Sequence, residues 1–284
     1  MMKKILILGA KGTLGQALVE IFGAHGCDIV AWDKEQCDVS EMRNKKSEIR
    51  SLNVDVIANA VALNAVDHIE IDDEMFEIAR VVNGTAVGEL AEIAKDLGVA
   101  FVHYSTDYVF DGKTTEPYTE DAIPNPISRY GETKLLGERC VQEKGLNFYI
   151  IRLSRVFGKA RNGVTAKQSF VDKMIALAQS KDHLDIVNDQ TSTPSYAPDV
   201  AEFTYRLLEQ EKPFGIYHGS NSGSCTWYEW AKKIFEIKNI TIDIAPVLHS
   251  QFPRPAKVPT YSVLKNTKMK EQRSWEDALE EYLQ

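Results

Sequence analysis

The chain has 284 residues, of which 44% are hydrophobic and 26% charged, enough apolar material to bury a core in one large domain or two modest ones. Its 41 Asp and Glu outnumber 33 Lys and Arg, giving a formal net charge of −8 with no basic block, which argues against a nucleic-acid partner but leaves room for a locally bound small anion. No apolar run reaches the ~18 residues of a membrane span, and the run after Lys3-Lys4 is too short for a secretion signal because Gly9 ends it.

Cys27, Cys37, Cys140 and Cys225 are widely spaced and make no Cys-x-x-Cys pair. Free thiols in a reducing, cytoplasmic setting are the expectation, and no metal site follows from their spacing.

Taken in chain order, the first half alternates two periodicities. Ile5 to Leu8 is a continuous apolar run, as in a strand buried on both faces. Thr13 to Phe22 reads as a helix and Asp28 to Trp32 as a second strand. A helix is expected from about Glu41 to Leu52 with Ser40 as its N-cap, then a third strand from Val54 to Ala58. A long helical stretch covers about Asp73 to Leu97 and ends at Gly98, before a fourth strand from Val99 to Tyr104. Ser128 to Lys144 is helical, and Asn147 to Leu153 is the fifth strand.

This alternation predicts an α/β fold, a Rossmann-type doubly wound parallel sheet whose ligands bind at the carboxyl ends of the strands. Beyond Leu153 the alternation loosens. Phe170 to Ser180, Asp199 to Gln210 and Thr226 to Ile237 read as helices, and Leu184 to Val187 and Gly215 to His218 as strands. Ser274-x-x-Asp277 opens a final helix in the manner of a capping box. The expected organisation is a dinucleotide-binding domain over residues 1–153 with returning elements at about 184–218. A smaller substrate-binding lobe would comprise about 154–183 and 219–284.

Gly9-Ala10-Lys11-Gly12-Thr13-Leu14-Gly15 joins the first strand to the first helix. Glycines there permit a tight turn and close approach of backbone to a pyrophosphate, and the helix start offers unpaired amides. Asp33 ends the second strand 18 residues past Gly15, where an acid meets the ribose hydroxyls of NAD and repels the extra phosphate of NADP. Lys34 could offset that repulsion, so the expected cofactor is NADPH or NADH with a lean to NADH. Asp38 and Val39 are placed beside the adenine.

Tyr130 and Lys134 lie four residues apart in a helix, and Thr106 lies at the end of the fourth strand. Four-residue spacing puts a phenol and an ammonium on one helix face. The positive charge is expected to lower the phenol below its usual pKa of about 10, toward the range where general acids work. Thr106 would polarise the same substrate oxygen. Arg155 is either an anion ligand or the partner of an acidic neighbour. His218 is expected to be a structural histidine, Trp230 a core residue, and Trp227 a core residue or a border of the substrate pocket. Glu70, Asp72, Asp73 and Glu74 read as a solvated helix start.

With these segments assembled, the chain resembles the dTDP-4-dehydrorhamnose reductase family of the extended short-chain dehydrogenase/reductase superfamily over nearly its whole length. The resemblance rests on Gly9 to Gly15, Asn64-Ala65-Val66-Asp67, Ser105-Thr106-Asp107-Tyr108-Val109-Phe110-Asp111-Gly112, Tyr130 to Lys134, Asp189-Gln190 with Pro194, and Trp227-Tyr228-Glu229. It implies hydride transfer from a nicotinamide to the ketone of a nucleotide-linked 6-deoxy sugar. Tyr130 would be the proton donor, Lys134 would bind the nicotinamide ribose, and Thr106 would bind the carbonyl oxygen. Ala60, Val61 and Ala62 would line the cofactor, and Val66, Thr106 and Asp107 would touch the sugar nucleotide.

The chain departs from the family's pattern at Arg155, where the family has tryptophan, at Val258, where it has arginine, and at Leu63, where it has an aromatic. Relatives in the family include a regulatory subunit of methionine adenosyltransferase, so a non-catalytic nucleotide-binding subunit is an alternative, as is another reductase or epimerase on the same scaffold. Some members bind magnesium at a dimer contact, which makes a homodimer an expectation; no ligand spacing here supports the metal.

Overall fold

Ile5, Leu6, Ile7 and Leu8 are each no more than 1% exposed, so the first strand lies inside the sheet and not at its edge. A computed structural model describes residues 3–159 and 168–284. Strand β1 (Lys4–Leu8) pairs in parallel with β2 (Asp28–Trp32) and with β3 (Val56–Asn59). Strand β4 (Ala100–Thr106) lies between β3 and β5 (Phe148–Leu153), and Gly215–His218 adds to the far side of β5. The result is a six-stranded sheet in which every pair is parallel.

Alternation along β1 feeds two cores. Ile5 and Ile7 pack with Phe22, Val102, Ile151 and Phe203, whereas Leu6 and Leu8 pack with Ile57, Leu90, Phe101 and Ile150. This is the period-2 geometry of a strand with a helical layer on each side. Helix α1 (Thr13–Ala24) and the helix Ala197–Glu209 cover the first face.

Two helical expectations are modified. The stretch expected at Glu41–Leu52 is broken into a 3-10 turn, Val39–Asn44, and α2 (Lys46–Ser51). Asp38, not Ser40, caps it, its carboxylate accepting from Ser40 N at 3.0 Å. The long stretch from Asp73 is interrupted. Helices α4 (Asp73–Arg80) and α5 (Ala86–Leu97) flank a π-helical turn, Val81–Thr85, and a short helix α3 (Val66–Ile71) precedes them. Gly98 closes α5 at φ +71°, the left-handed region where glycine carries no penalty. π-bulges often mark functional positions. Here the turn buries Asn83, whose side chain accepts from Leu63 N at 2.8 Å and donates to Leu63 O at 2.9 Å and to Thr133 Oγ1 at 3.1 Å. It thereby pins the loop after β3 to the helix that carries Tyr130.

The second lobe has its own core of Phe157, Leu184, Ile186, Trp230, Trp275 and Leu279, among others. The strand expected near Leu184–Val187 does not return to the main sheet. It spans His183–Val187 and pairs with Asp243–Val247 in this lobe. Its pattern explains why: His183 and Asp185 are exposed while Leu184 and Ile186 are buried, so it has one apolar face, not two. The part of the expected lobe at 160–167 lies outside the described residues.

Candidate active site

Helix α6 (Arg129–Lys144) is set in place at its first turn. Ser128 Oγ accepts from Gly131 N at 3.2 Å, Glu70 accepts from Arg129 N at 2.9 Å, and Asp73 meets the Arg129 guanidinium at 2.7 Å. Two of the acids expected to be a solvated helix start, Glu70 and Asp73, therefore dock this helix, and Asp72 caps its own helix toward Met75 N. A Cβ on Gly131 would fall 2.3 Å from Tyr108 O, so glycine allows α6 to touch the loop after β4. Tyr130 then meets Tyr108 edge to face, with ring centroids 5.4 Å apart.

Tyr130 and Lys134 share a helix face and line one cavity of about 640 Å³ together with Thr106. Burial raises the Tyr130 phenol well above its usual value; the Thr106 hydroxyl draws it partly back, and Asp107 and Tyr108 push it up. The direction is opposite to that expected from the four-residue spacing. The physical reason is burial of the phenol; the Lys134 ammonium does not offset it and is itself engaged elsewhere, donating to Tyr104 O at 2.7 Å and lying 3.5 Å from His103 Nε2. Burial lowers Lys134 to about 8, opposed by Glu138. His103 is held neutral by burial and by the Lys134 charge.

Asp107 is a hub of hydroxyl groups that sequence reasoning had not assembled. It accepts from Thr106 Oγ1 at 3.1 Å, Ser154 Oγ at 2.9 Å and Ser262 Oγ at 2.6 Å. Burial raises its pKa and the three hydroxyls oppose that shift. Thr106 Oγ1 also accepts from Tyr108 N at 3.2 Å, which fixes its rotamer toward the cavity wall. Nothing in the sequence links Ser262 to Asp107, 155 residues earlier.

The glycine turn forms as a cradle. Gly9 sits at φ +76°, and a Cβ on Gly15 would fall 2.0 Å from Gly9 O. No side chain caps the start of α1, leaving its first amides directed outward beside Gly12, Thr13 and Leu14, which line the same cavity. Such a helix start suits a phosphate group. Ala60, Val61 and Ala62 line it after β3. Asp33 accepts from Lys11 N at 2.8 Å and from Lys34 N at 2.8 Å, so its carboxylate shapes the turn. The Lys11 side chain pairs outward with Glu35. Asp38 is engaged with Ser40 and Lys34, and the Val39 side chain is buried in the core.

Val66, Asp107, Arg155 and Trp227 join the same cavity wall. Arg155 lines the cavity, and its hydrogen bonds run to backbone carbonyls. At φ +45°, its guanidinium donates to Cys225 O at 2.9 Å and Gln190 O at 2.8 Å and stacks 3.9 Å over Trp227. Burial lowers its pKa to about 10. Trp230 is in the lobe's core, as expected, and His218 is buried with Nδ1 near Lys265 O. A second cavity of about 770 Å³ shares Phe170, Trp227 and Arg254 with the first and is also lined by Phe252 and Val258. Arg254 forms a two-pronged pair with Asp67 at 3.0 and 2.9 Å. Leu63 packs near Tyr130, Tyr108 and Val66.

The chain is similar to known proteins over nearly its whole length. Residues 2–284 match the family model described as RmlD substrate binding domain. The chain is 35% identical over 287 residues to the spore coat polysaccharide biosynthesis protein SpsK of Bacillus subtilis, covering 100% of this chain and 98% of that one. It is 34% identical to a dTDP-4-dehydrorhamnose reductase of Burkholderia thailandensis, over 94% of this chain and 92% of that one. A crystal structure of dTDP-4-dehydrorhamnose reductase from Bacillus anthracis in complex with NADP superposes with a TM-score of 0.92 at 31% identity, covering 99% of both chains. A family model spanning residues 2–284 and near-full-length relatives above 30% identity leave one assignment: the chain belongs to the RmlD family of the dTDP-4-dehydrorhamnose reductases.

Proposed function

We propose that this chain is an NAD(P)H-dependent reductase of a nucleotide-linked 4-keto-6-deoxy sugar, acting on dTDP-4-dehydrorhamnose to give dTDP-rhamnose. The observation that carries this reading is the placement of Thr106, Tyr130 and Lys134 on one cavity wall that also includes the glycine turn. The names of the Burkholderia and Bacillus anthracis relatives support the substrate, and the NADP in the latter supports the cofactor class.

The residues fit a dinucleotide. Gly12, Thr13 and Leu14 would meet its phosphates at the start of α1, Ala60, Val61 and Ala62 would follow its length by backbone, and Tyr130 and Lys134 would meet the nicotinamide ribose. Bound NAD(P)H supplies the hydride to the ketone carbon. Thr106 would hydrogen-bond the ketone oxygen, and Tyr130 would give it a proton as negative charge develops there. A phenol raised by burial is fully protonated at neutral pH, so the proton it would donate is present, although the phenol is a weaker acid than the spacing alone predicts. The Lys134 ammonium, fixed by Tyr104 O, would donate to the ribose hydroxyls and hold the nicotinamide beside Tyr130. Val66, Asp107 and Arg155 would border the sugar, with Trp227 between the two cavities and the nucleotide in the second. We place the protein in a reducing, cytoplasmic setting, a reading supported by the wide spacing of its four cysteines in the sequence.

The test is oxidation of NADPH and NADH against a panel of nucleotide 4-ketosugars that includes dTDP-4-dehydrorhamnose. Tyr130→Phe should lower kcat by at least about a hundredfold while leaving cofactor affinity within a fewfold. Near wild-type turnover by that variant would overturn the assignment of the proton donor.

A further inference from the structure

Glu138 lies one helical turn beyond Lys134 on α6, and its side chain is 0% exposed. The carboxylate takes both prongs of Arg152, Nε at 2.9 Å and Nη2 at 2.7 Å, and accepts from Ser105 Oγ at 2.5 Å. Ser105 immediately precedes Thr106 on β4, and Arg152 is its register partner on β5. Arg152 is itself anchored, its guanidinium 5.1 Å over Phe110 and its Nη1 3.4 Å from Glu120 O. One carboxylate therefore ties together the three elements that carry or flank the reacting groups. A buried ion pair costs desolvation, and apolar residues of similar volume can replace it without loss of stability. Stability alone is thus a weak reason for a charge at this position.

The surroundings of Lys134 show what the charge does. From β4 it faces Tyr104 O and a neutral His103, with Asn59 of β3 behind that imidazole at 3.4 Å. From its own helix it faces Tyr130 and Glu138. Asp107 and Tyr108 act on Tyr130, and beyond Glu138 come Arg152, then Glu120 and His218. Within this set Glu138 is the anion that opposes the burial of the ammonium.

We propose that Glu138 is a positioning residue for the reduction: anchored by Arg152 and Ser105, it locks the end of β4 that bears Thr106 to the turn of α6 that bears Lys134, and it is the counter-charge that retains the Lys134 ammonium. The proposal rests on the reading of Thr106, Tyr130 and Lys134 as the reducing machinery.

Glu138→Gln keeps the shape and removes the charge. Because it strands the Arg152 cation, the double variant Glu138→Leu/Arg152→Leu, which removes both charges, accompanies it. In Glu138→Gln, which leaves the Arg152 cation uncompensated near the ammonium, the alkaline fall of kcat/KM should move about one pH unit or more toward neutrality. In the double variant, which removes one charge of each sign, it should move less. The kcat at pH 7.5 should drop about tenfold in both. The KM for the ketosugar should stay within a fewfold, and Glu138→Asp should recover part of the loss. The second readout is the titration of the Lys134 ammonium by NMR on lysine-labelled protein, which needs no turnover. A Lys134 titration and a pH profile that stay at their wild-type positions in folded Glu138→Gln protein, or a wild-type kcat in the folded double variant, would overturn the proposal. Failure of wild-type protein to turn over any ketosugar would instead overturn the reductase reading, and the two results are separable because the NMR titration is independent of substrate.

Discussion

Gly15→Ala tests whether the turn after β1 is a cradle or an ordinary connection. An added Cβ would lie 2.0 Å from Gly9 O and 2.8 Å from Ala10 Cα, both backbone atoms that cannot rotate away. Regaining ordinary contact at about 3.4 Å requires the turn to move by about 1.4 Å, an overpacking cost of about 1–3 kcal/mol. For a chain of this size that is a fall in Tm of roughly 3–10 °C. The same shift misaligns the first amides of α1, and each hydrogen bond to a charged phosphate is worth about 1.5–3 kcal/mol. The affinity for NADPH or NADH should therefore weaken about ten- to a hundredfold. Gly12→Ala is the internal control. Its Cβ would sit 3.4 Å from Gly9 O, and its φ of −70° is open to any residue, so its Tm should stay within about a degree of wild type. Thermal melts followed by circular dichroism and cofactor titrations by fluorescence read both quantities. Wild-type melting and cofactor affinity in Gly15→Ala, or an equal fall in Tm from the two substitutions, would refute the reasoning.

With Lys134 lowered to about 8, the wild-type kcat/KM should fall about tenfold between pH 7 and pH 9 as the ammonium is lost, and a profile flat to pH 9 would contradict the role given to it. The sign for stability is the reverse. The folded protein releases this proton near 8 and the unfolded chain near 10.5, so this group's contribution to stability rises with pH across that window; urea titrations of wild type and Lys134→Met across it isolate the contribution. Arg155→Leu strands the carbonyls of Cys225 and Gln190 and removes the stack on Trp227, a loss of about 2–4 kcal/mol by chemical unfolding. It should raise the KM for the sugar nucleotide and leave the cofactor Kd unchanged, whereas a shift confined to the cofactor would place Arg155 at the wrong ligand.

Much of the first half was legible because the forces involved are local. A run such as Ile5–Leu8 can only be satisfied between two layers, and Ser128 and Gly98 mark helix ends by their own chemistry. The glycine turn announced a close backbone approach. The Tyr130–Lys134 spacing announced a shared helix face, and the structure adds both residues to one cavity with Thr106.

Other features depended on partners far along the chain. Asp107 and Ser262 are 155 residues apart, and Glu138 meets Ser105 and Arg152 from two different strands. The strand at His183–Val187 carried its strand character in its own alternation, but its partner, Asp243–Val247, was set by which apolar face remained to be covered. The direction of the Tyr130 shift is the sharpest case. Sequence spacing determined that an ammonium lies one turn away, while burial, a product of tertiary packing, decided that the phenol is held protonated. Spacing along a helix sets which side chains are neighbours; desolvation is a property of everything packed around them, and it decided the charge of the site.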